Sequence, residues 1–242
     1  MLQGNLQFII RIKIEDMKII ENALARGAGN LNEYESKRFL ATYGIPITRE
    51  TIARNEEEVA AKAPEIGYPV VLKGSDEAFV HKTDLNLIAL NLKDEKSVRR
   101  AYHQLASHSK TKLKEVLVQE MIEGQRELMA GLYRDPQFGP CVMFGLGGIF
   151  TEIVEDIVFR VAPLTRKDAM EMLTEIRGKK ILESFRGKPR VDRDEMADIL
   201  LALSRIGEEQ PQIREIDINP IKLVNGKPVA LDALVVFSAD AL

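Results

Sequence analysis

The chain has 242 residues, 45% of them hydrophobic and 29% charged, with a formal net charge of −3 and one cysteine. That length holds one large domain or two small lobes, and the balance is that of an ordinary globular protein, not of a membrane-embedded or strongly basic, nucleic-acid-coating one. Cys141 lies in the apolar run Cys141-Val142-Met143-Phe144 and reads as a buried strand residue; a disulfide within the chain is excluded, and a reducing, cytoplasmic setting is expected.

Residues 6–10 (LQFII) are too short to span a bilayer and lack a signal-peptide cleavage pattern, so neither a membrane nor a nucleic-acid partner is expected. Residues 16–28 have the spacing of an amphipathic helix. Residues 32–43 read as a second helix, capped near Asn32 and stopped by Gly44. A strand follows near 47–53, then a helix over 55–66 opened by Asn55, then a short buried strand (PVVLK, 69–73) that ends in Lys73. A strand over 87–92 precedes a helix over 94–107 with Val98, Ala101 and Leu105 on one side. Strands are expected over 116–121, over 127–133, after Pro140 and as a pair around 149–162. Helices are expected over 166–176, 178–185 and 193–207. A hairpin over 213–235 turns at Asn225-Gly226, a dipeptide favoured in two-residue turns. The alternation predicts a mixed α+β fold with antiparallel hairpins, not a regular βαβ repeat. No Gly-Lys-Ser/Thr phosphate loop or dinucleotide glycine fingerprint is present.

The hairpin carries the most chemistry. Side chains alternate along a strand, so Ile213, Glu215, Asp217 and Asn219 share one face and Ile216 and Ile218 the other. Asn219-Pro220 is expected to end this strand, and Asp232 to return on its partner. Converging carboxylate and amide oxygens suit a hard cation such as Mg²⁺; the same alternation also describes a solvated strand face. Lys73, where an apolar strand runs out, can set an ammonium over a phosphate, although lysines at strand ends are common on surfaces. Gln119-Glu120-Met121-Ile122 can offer a strand edge to an adenine ring, with Glu127 taking ribose hydroxyls; the bland alternative is an edge strand with solvated acids. In Gly145-Leu146-Gly147-Gly148, Gly147 and Gly148 let backbone amides approach an anion, or simply make a tight turn. His81 lies in a loop beside Lys82 and Asp84 and is a candidate general base or phosphate acceptor. His103 and His108 read as surface residues.

In order along the chain, LNEYESKRFLATYGIP (31–46), YPVVLK (68–73), HKTD (81–84), VQEMIEGQREL (118–128), RDPQFGPCVMFGLGGIFTEIVEDIVFRVAPL (134–164) and EIDINPI (215–221) resemble the β subunit of ADP-forming acetyl-CoA (acyl-CoA) synthetases. These are ATP-grasp proteins related to the nucleotide-binding part of succinyl-CoA synthetase. The likeness runs from about residue 20 onward; residues 1–15 lie outside it. It implies two α+β lobes with nucleotide held between them: 54–117 as the smaller lobe, 118–242 as the larger, and 1–53 packing on the larger. It implies Lys73 on the phosphates, the backbone of Glu120 and Ile122 on adenine, Glu127 on ribose, and Mg²⁺ on Asn219 and Asp232 with Asp217 as a further ligand. The implied reaction interconverts acyl-CoA, ADP and phosphate with acid, CoA and ATP through phosphohistidines, and His81 takes the place of the histidine that serves ADP. An α subunit with CoA-binding and acyl-handling domains is implied as partner, in an α2β2 heterotetramer.

One departure bears on catalysis. The family continues its histidine loop as HK[ST]D-x-Gly-Gly-Val, whereas this chain reads His81-Lys82-Thr83-Asp84-Leu85-Asn86-Leu87-Ile88. Without the two glycines the loop has less backbone freedom. Two further readings therefore stand beside the relay: a stand-alone ATP-grasp carboxylate ligase, and a nucleotide-binding regulatory subunit without turnover.

Overall fold

The structure, a computed structural model, describes residues 18–74, 87–108, 113–124, 126–148, 156–184 and 187–239. It divides into two compact units. The smaller comprises Asn32–Tyr34 and Thr48–Glu123; the larger comprises Met1–Leu31, Glu35–Ile47 and Gly124–Leu242. Among the described residues no helix is long and apolar enough to cross a membrane.

The smaller unit is built on an antiparallel sheet of four strands: β2 (Glu50–Ala53), β3 (Val70–Gly74), β4 (Ile88–Leu92) and β5 (Val116–Glu120), in the order β2-β5-β3-β4. Helices Glu56–Ile66 and Glu95–His108 cover one face. The first begins where the Asn55 side chain accepts the Glu58 amide, and it ends at Gly67 with φ 99°, as cap chemistry requires. Because side chains alternate, Val70, Leu72, Val116 and Val118 pack with Val59, Val98, Ala101 and Leu105 of the helices. Glu50, Gln119 and Lys73 fall on the opposite face, in the pairings Glu50↔Gln119 and Lys73↔Leu117. Apart from Asn32–Tyr34, the unit runs from Thr48 to Glu123, where 54–117 was expected. Strand β2 pairs along its whole length with β5, and that pairing carries residues 48–53 and 118–123 into this unit.

The larger unit carries seven described strands: β1 (Asn30–Leu31), β6 (Glu127–Asp135), β7 (Gly139–Leu146), β8 (Ile157–Val161), β9 (Ile213–Val224), β10 (Lys227–Ala230) and β11 (Leu234–Phe237). Their order is β1-β11-β9-β6-β7-β8, with β10 also paired to β9. Leu128, Ala130, Leu132, Val142, Phe144, Ile216 and Ile218 form one core with Met172, Leu200, Leu203 and Ile206 from helices Arg166–Glu175 and Arg193–Glu209. Cys141 is a free, buried thiol in β7. Of the stretch expected as a helix over 178–185, the described residues 178–184 form the 3-10 turn Lys179–Leu182 instead of an α-helix. Of the strand pair expected around 149–162, β8 is present, and residues 149–155 lie outside the described residues.

Strand β9 corrects three expectations. It does not stop at Asn219-Pro220 but runs on to Val224 through a cis peptide bond. The register against β6 moves from Ala130↔Ile218 to Leu128↔Ile221, so Asn219 and Pro220 together oppose Met129. A bulge is where a strand tolerates a residue with no N–H to donate. A second shift, from Val236↔Glu215 to Phe237↔Ile213, makes Arg214 the extra residue and turns Ile213 into the core. Ile213 therefore does not share the face of Glu215 and Asp217. The Asn225-Gly226 turn forms as expected, with φ 52° and 89°, but Asp232 lies in the connector between β10 and β11, not on a strand.

Candidate functional site

In the larger unit the polar face of β9 is chemically incomplete. Oδ1 of Asp217 is buried without a hydrogen-bond partner. Burial first, then the charges of Asp232 and Glu215, push its pKa up to about 6. Desolvation and like charge both disfavour the ionised form, so this group of carboxylates favours a cation beside it. Asn219, re-aimed by the bulge, accepts the Gly148 amide on Oδ1 at 3.1 Å. Asp232 accepts the Ala233 amide on Oδ1 at 2.8 Å. The connector and β9 are tied directly: Leu231 donates its amide to the carbonyl of Pro220 at 3.0 Å. Two carboxylates and an amide oxygen are therefore presented by β9 and the connector next to it.

This donor set fits Mg²⁺, which keeps waters and shares phosphate oxygens instead of requiring a complete protein cage. Among the described residues no three His, Cys, Asp or Glu side chains converge into such a cage. The orphaned Asp217 oxygen is what makes the fit specific.

Glu127, Gly147 and Gly148 come together on the same unit. Glu127 pairs with Lys222 across β6 and β9, with Lys222 Nζ 3.3 Å from its Oε1. The Gly147 amide donates to the Glu127 carbonyl at 2.9 Å. A Cβ at Gly148, where φ is 63°, would collide with Glu127 Oε2, and a Cβ at Gly147 would collide with the Leu128 carbonyl oxygen. The glycines are thus required for close approach within the protein. Their amides are taken by Glu127 and Asn219, which corrects the expectation that they face an anion.

In the smaller unit Lys73 is buried at 6% exposure, and its Nζ lies 2.6 Å from Glu33 Oε1. Glu33 opens helix Glu33–Thr42 and is itself buried. The strand pattern points to the lysine, but its partner lies 40 residues away in the chain and has no local signal. On the same sheet face the Gln119 amide donates to Thr48 Oγ1 at 2.7 Å, and that hydroxyl donates to Glu50 Oε2 at 2.9 Å. Glu120 is held at both ends by Arg49: its carboxylate accepts the Arg49 amide at 2.7 Å and Nε at 2.9 Å, and its own amide donates to the Arg49 carbonyl at 2.9 Å. The Glu120 N–H is therefore not available to a base, a second correction. Ile122 follows the end of β5 and is partly exposed. His81 lies outside the described residues.

Residues 22–237 match the ATP-grasp domain family. The chain is 42% identical over 221 residues to the β subunit of the ADP-forming acetate–CoA ligase I of Pyrococcus furiosus, covering 89% of this chain and 95% of that one. It is 38% identical to the ADP-forming acetate–CoA ligase I of Archaeoglobus fulgidus, of which it spans 33%. A solved structure of the acetyl-coenzyme A synthetase 1 of Candidatus Korarchaeum cryptofilum, in complex with coenzyme A and Mg-AMPPCP and with its phosphohistidine segment pointing towards the nucleotide binding site, superposes with a TM-score of 0.83. That structure is 40% identical, and the match covers 92% of this chain and 100% of that one.

Proposed function

Because the chain belongs to the ATP-grasp family, and within it to the β subunits of ADP-forming acetate–CoA ligases, we propose that it is the nucleotide-binding subunit of an acid–CoA ligase. In this reading it exchanges phosphate between ADP and a phosphohistidine relay, so that acyl-CoA, ADP and phosphate interconvert with acid, CoA and ATP. One observation carries the reading to the residues: the unsatisfied Asp217 carboxylate beside Asp232, on the strand that also presents Asn219.

Asn219, Asp232 and Asp217 hold Mg²⁺, which when bound offsets the charge of the nucleotide phosphates. Lys73 supplies a second, fixed positive charge for a phosphate oxygen, with Glu33 keeping its ammonium in place. Phosphoryl transfer depends chiefly on such positioning and charge neutralisation. Glu127 takes the ribose hydroxyls, and the strand end at Glu120–Ile122 meets the base through groups other than the Glu120 amide. His81 accepts phosphate on its imidazole: as its N–P bond breaks, a terminal oxygen of ADP forms the new O–P bond, and the reverse transfer phosphorylates the histidine. CoA binding and acyl handling fall to an α subunit in an α2β2 complex. A β-subunit relative and a longer single-chain relative both support that division of labour. A cytoplasmic setting belongs to the same reading.

The test is reconstitution. The chain is mixed with an α subunit of this family, and ATP formation from acetyl-CoA, ADP and phosphate is measured. ATP formation that needs both chains is expected. An acyl phosphate made from acid and ATP by this chain alone would point to the stand-alone ligase. Nucleotide binding without turnover in the complex would point to the regulatory subunit.

A further inference from the structure

Lys222 stands on β9 between Ile221 and Leu223, both buried in the core. Alternation therefore turns it to the opposite face, the one that Asp217 reaches from between the core residues Ile216 and Ile218. Across the sheet it is paired with Glu127 on one side and with Val229 of β10 on the other, so Glu127 is the acid in its row. Lys222 Nζ lies 3.3 Å from Glu127 Oε1, with 17% of the lysine side chain and 28% of the glutamate side chain exposed. The other carboxylate oxygen, Oε2, lies so close over Gly148 that a Cβ there would collide with it. The Gly148 amide is in turn bonded to Asn219 Oδ1 at 3.1 Å. The Glu127 carboxylate is thus confined from two sides, by an ammonium on β9 and by backbone that is itself held.

A glutamate side chain loses considerable rotamer freedom when it is fixed. A carboxylate free to turn exchanges a missing partner for water and so discriminates weakly between ligands. One held in place gains from both hydroxyls of a ribose and is left short of a partner when one hydroxyl is absent. The ion pair and Gly148 supply that restraint before any ligand arrives, which is preorganisation. We propose that Lys222 is a positioning residue that fixes the Glu127 carboxylate for the neighbouring hydroxyls of a nucleotide ribose, and so sets a preference for ribonucleotides over 2′-deoxyribonucleotides. The inference rests on the functional reading above, in which Glu127 takes the ribose. An ion pair this exposed to water adds little to stability, so a purely structural Lys222 would leave the choice between the two sugars unchanged.

The experiment measures the affinity of the full chain for ADP and for 2′-deoxy-ADP by calorimetry, with Mg²⁺ present, in wild type, Lys222→Met and Lys222→Arg. Wild type is expected to bind ADP about tenfold more tightly than 2′-deoxy-ADP. Lys222→Met is expected to bring that ratio to about twofold by weakening ADP binding, while its affinity for 2′-deoxy-ADP stays within about twofold of wild type. Lys222→Arg keeps a cation for Glu127 Oε1 and should retain the wild-type preference. A Lys222→Met variant with the wild-type ratio overturns the inference and leaves the functional reading standing, as does an arginine variant that loses the preference together with it. A wild type that binds both nucleotides equally, or neither, overturns the ribose role of Glu127 and the inference with it. If neither Lys222→Met nor Lys222→Gln folds, Lys222 is a structural residue and the positioning role is overturned.

Discussion

Lys73 and Glu33 face each other at 2.6 Å with only 7% and 2% of their side chains exposed. The ammonium assigned to phosphate is therefore already neutralised inside its own unit. A buried pair of this kind contributes little net stability while intact, yet removing one partner leaves an uncompensated charge.

Lys73→Met is accordingly expected to act twice. It should abolish most of the thermal upshift that ADP gives the wild type, because a charge-assisted contact is lost. It should also destabilise the chain by about 3–5 kcal/mol, because the buried Glu33 carboxylate loses the cation at 2.6 Å from it. The double variant Lys73→Met, Glu33→Gln should recover stability in denaturant titrations without recovering nucleotide binding. An equal ADP upshift in wild type and single variant would remove Lys73 from the site.

Asp217 makes the apo chain pH-dependent. Its folded pKa of about 6 lies above the ordinary 3.8, so between those values the folded state holds a proton that the unfolded state has lost. Stability therefore falls as pH rises from about 4 to about 6, by on the order of 2 kcal/mol, and stays lower above that range. In the presence of a chelator, Asp217→Asn should match wild type near pH 4 and exceed it at pH 7. With Mg²⁺-nucleotide present the ordering should reverse in binding, the wild type losing affinity as pH drops through about 6. Parallel stability curves for the two proteins from pH 4 to 7 would contradict this.

Asn219→Ala and Asp232→Ala are each expected to weaken Mg-ADP binding by about tenfold or more, or roughly 1.4 kcal/mol. Asn219→Ala also removes the acceptor of the Gly148 amide, so its ADP affinity without metal should fall as well, whereas that of Asp232→Ala should not. Calorimetry with unchanged Mg-ADP affinity in both variants would disprove the assignment.

His81→Ala should leave nucleotide binding intact, since Lys73 and the β9 face are untouched. It should abolish acid-labile phosphate labelling of this chain and lower ATP formation by the complex by orders of magnitude, because no second nucleophile substitutes in a relay. Wild-type ATP synthesis by the variant complex would show that the Leu85-Asn86-Leu87 loop has lost this role.

Much of the fold was legible because its signals are local. Asn55 marks a helix start through its own side chain, Asn225-Gly226 fixes a turn, and PVVLK gives a buried strand ending in Lys73. What escaped depends on partners far along the chain. Glu33 is 40 residues from Lys73, and Arg49 is 71 residues from the Glu120 it engages. Period-two counting also fails at a bulge. It put Ile213 beside Glu215 and stopped β9 at Pro220, because an extra residue is visible only once the neighbouring strand is known. The residues of the site were legible mainly through family resemblance. Spacing alone did not distinguish the β9 face from a solvated one, and the orphaned Asp217 oxygen is what separates them.

Cys141 equips the protein with a built-in reporter. Its thiol sits in β7 between β6 and β8, and burial, then the charge of Asp135, raise its pKa. A buried thiol whose pKa is raised reacts slowly with alkylating reagents. Since the chain has one cysteine, its labelling rate reports how closely this part of the sheet is covered without any engineered probe, molecule by molecule in a mass spectrum. The same measurement, repeated as nucleotide is added, times how firmly the ligand clasps the strands that carry the site.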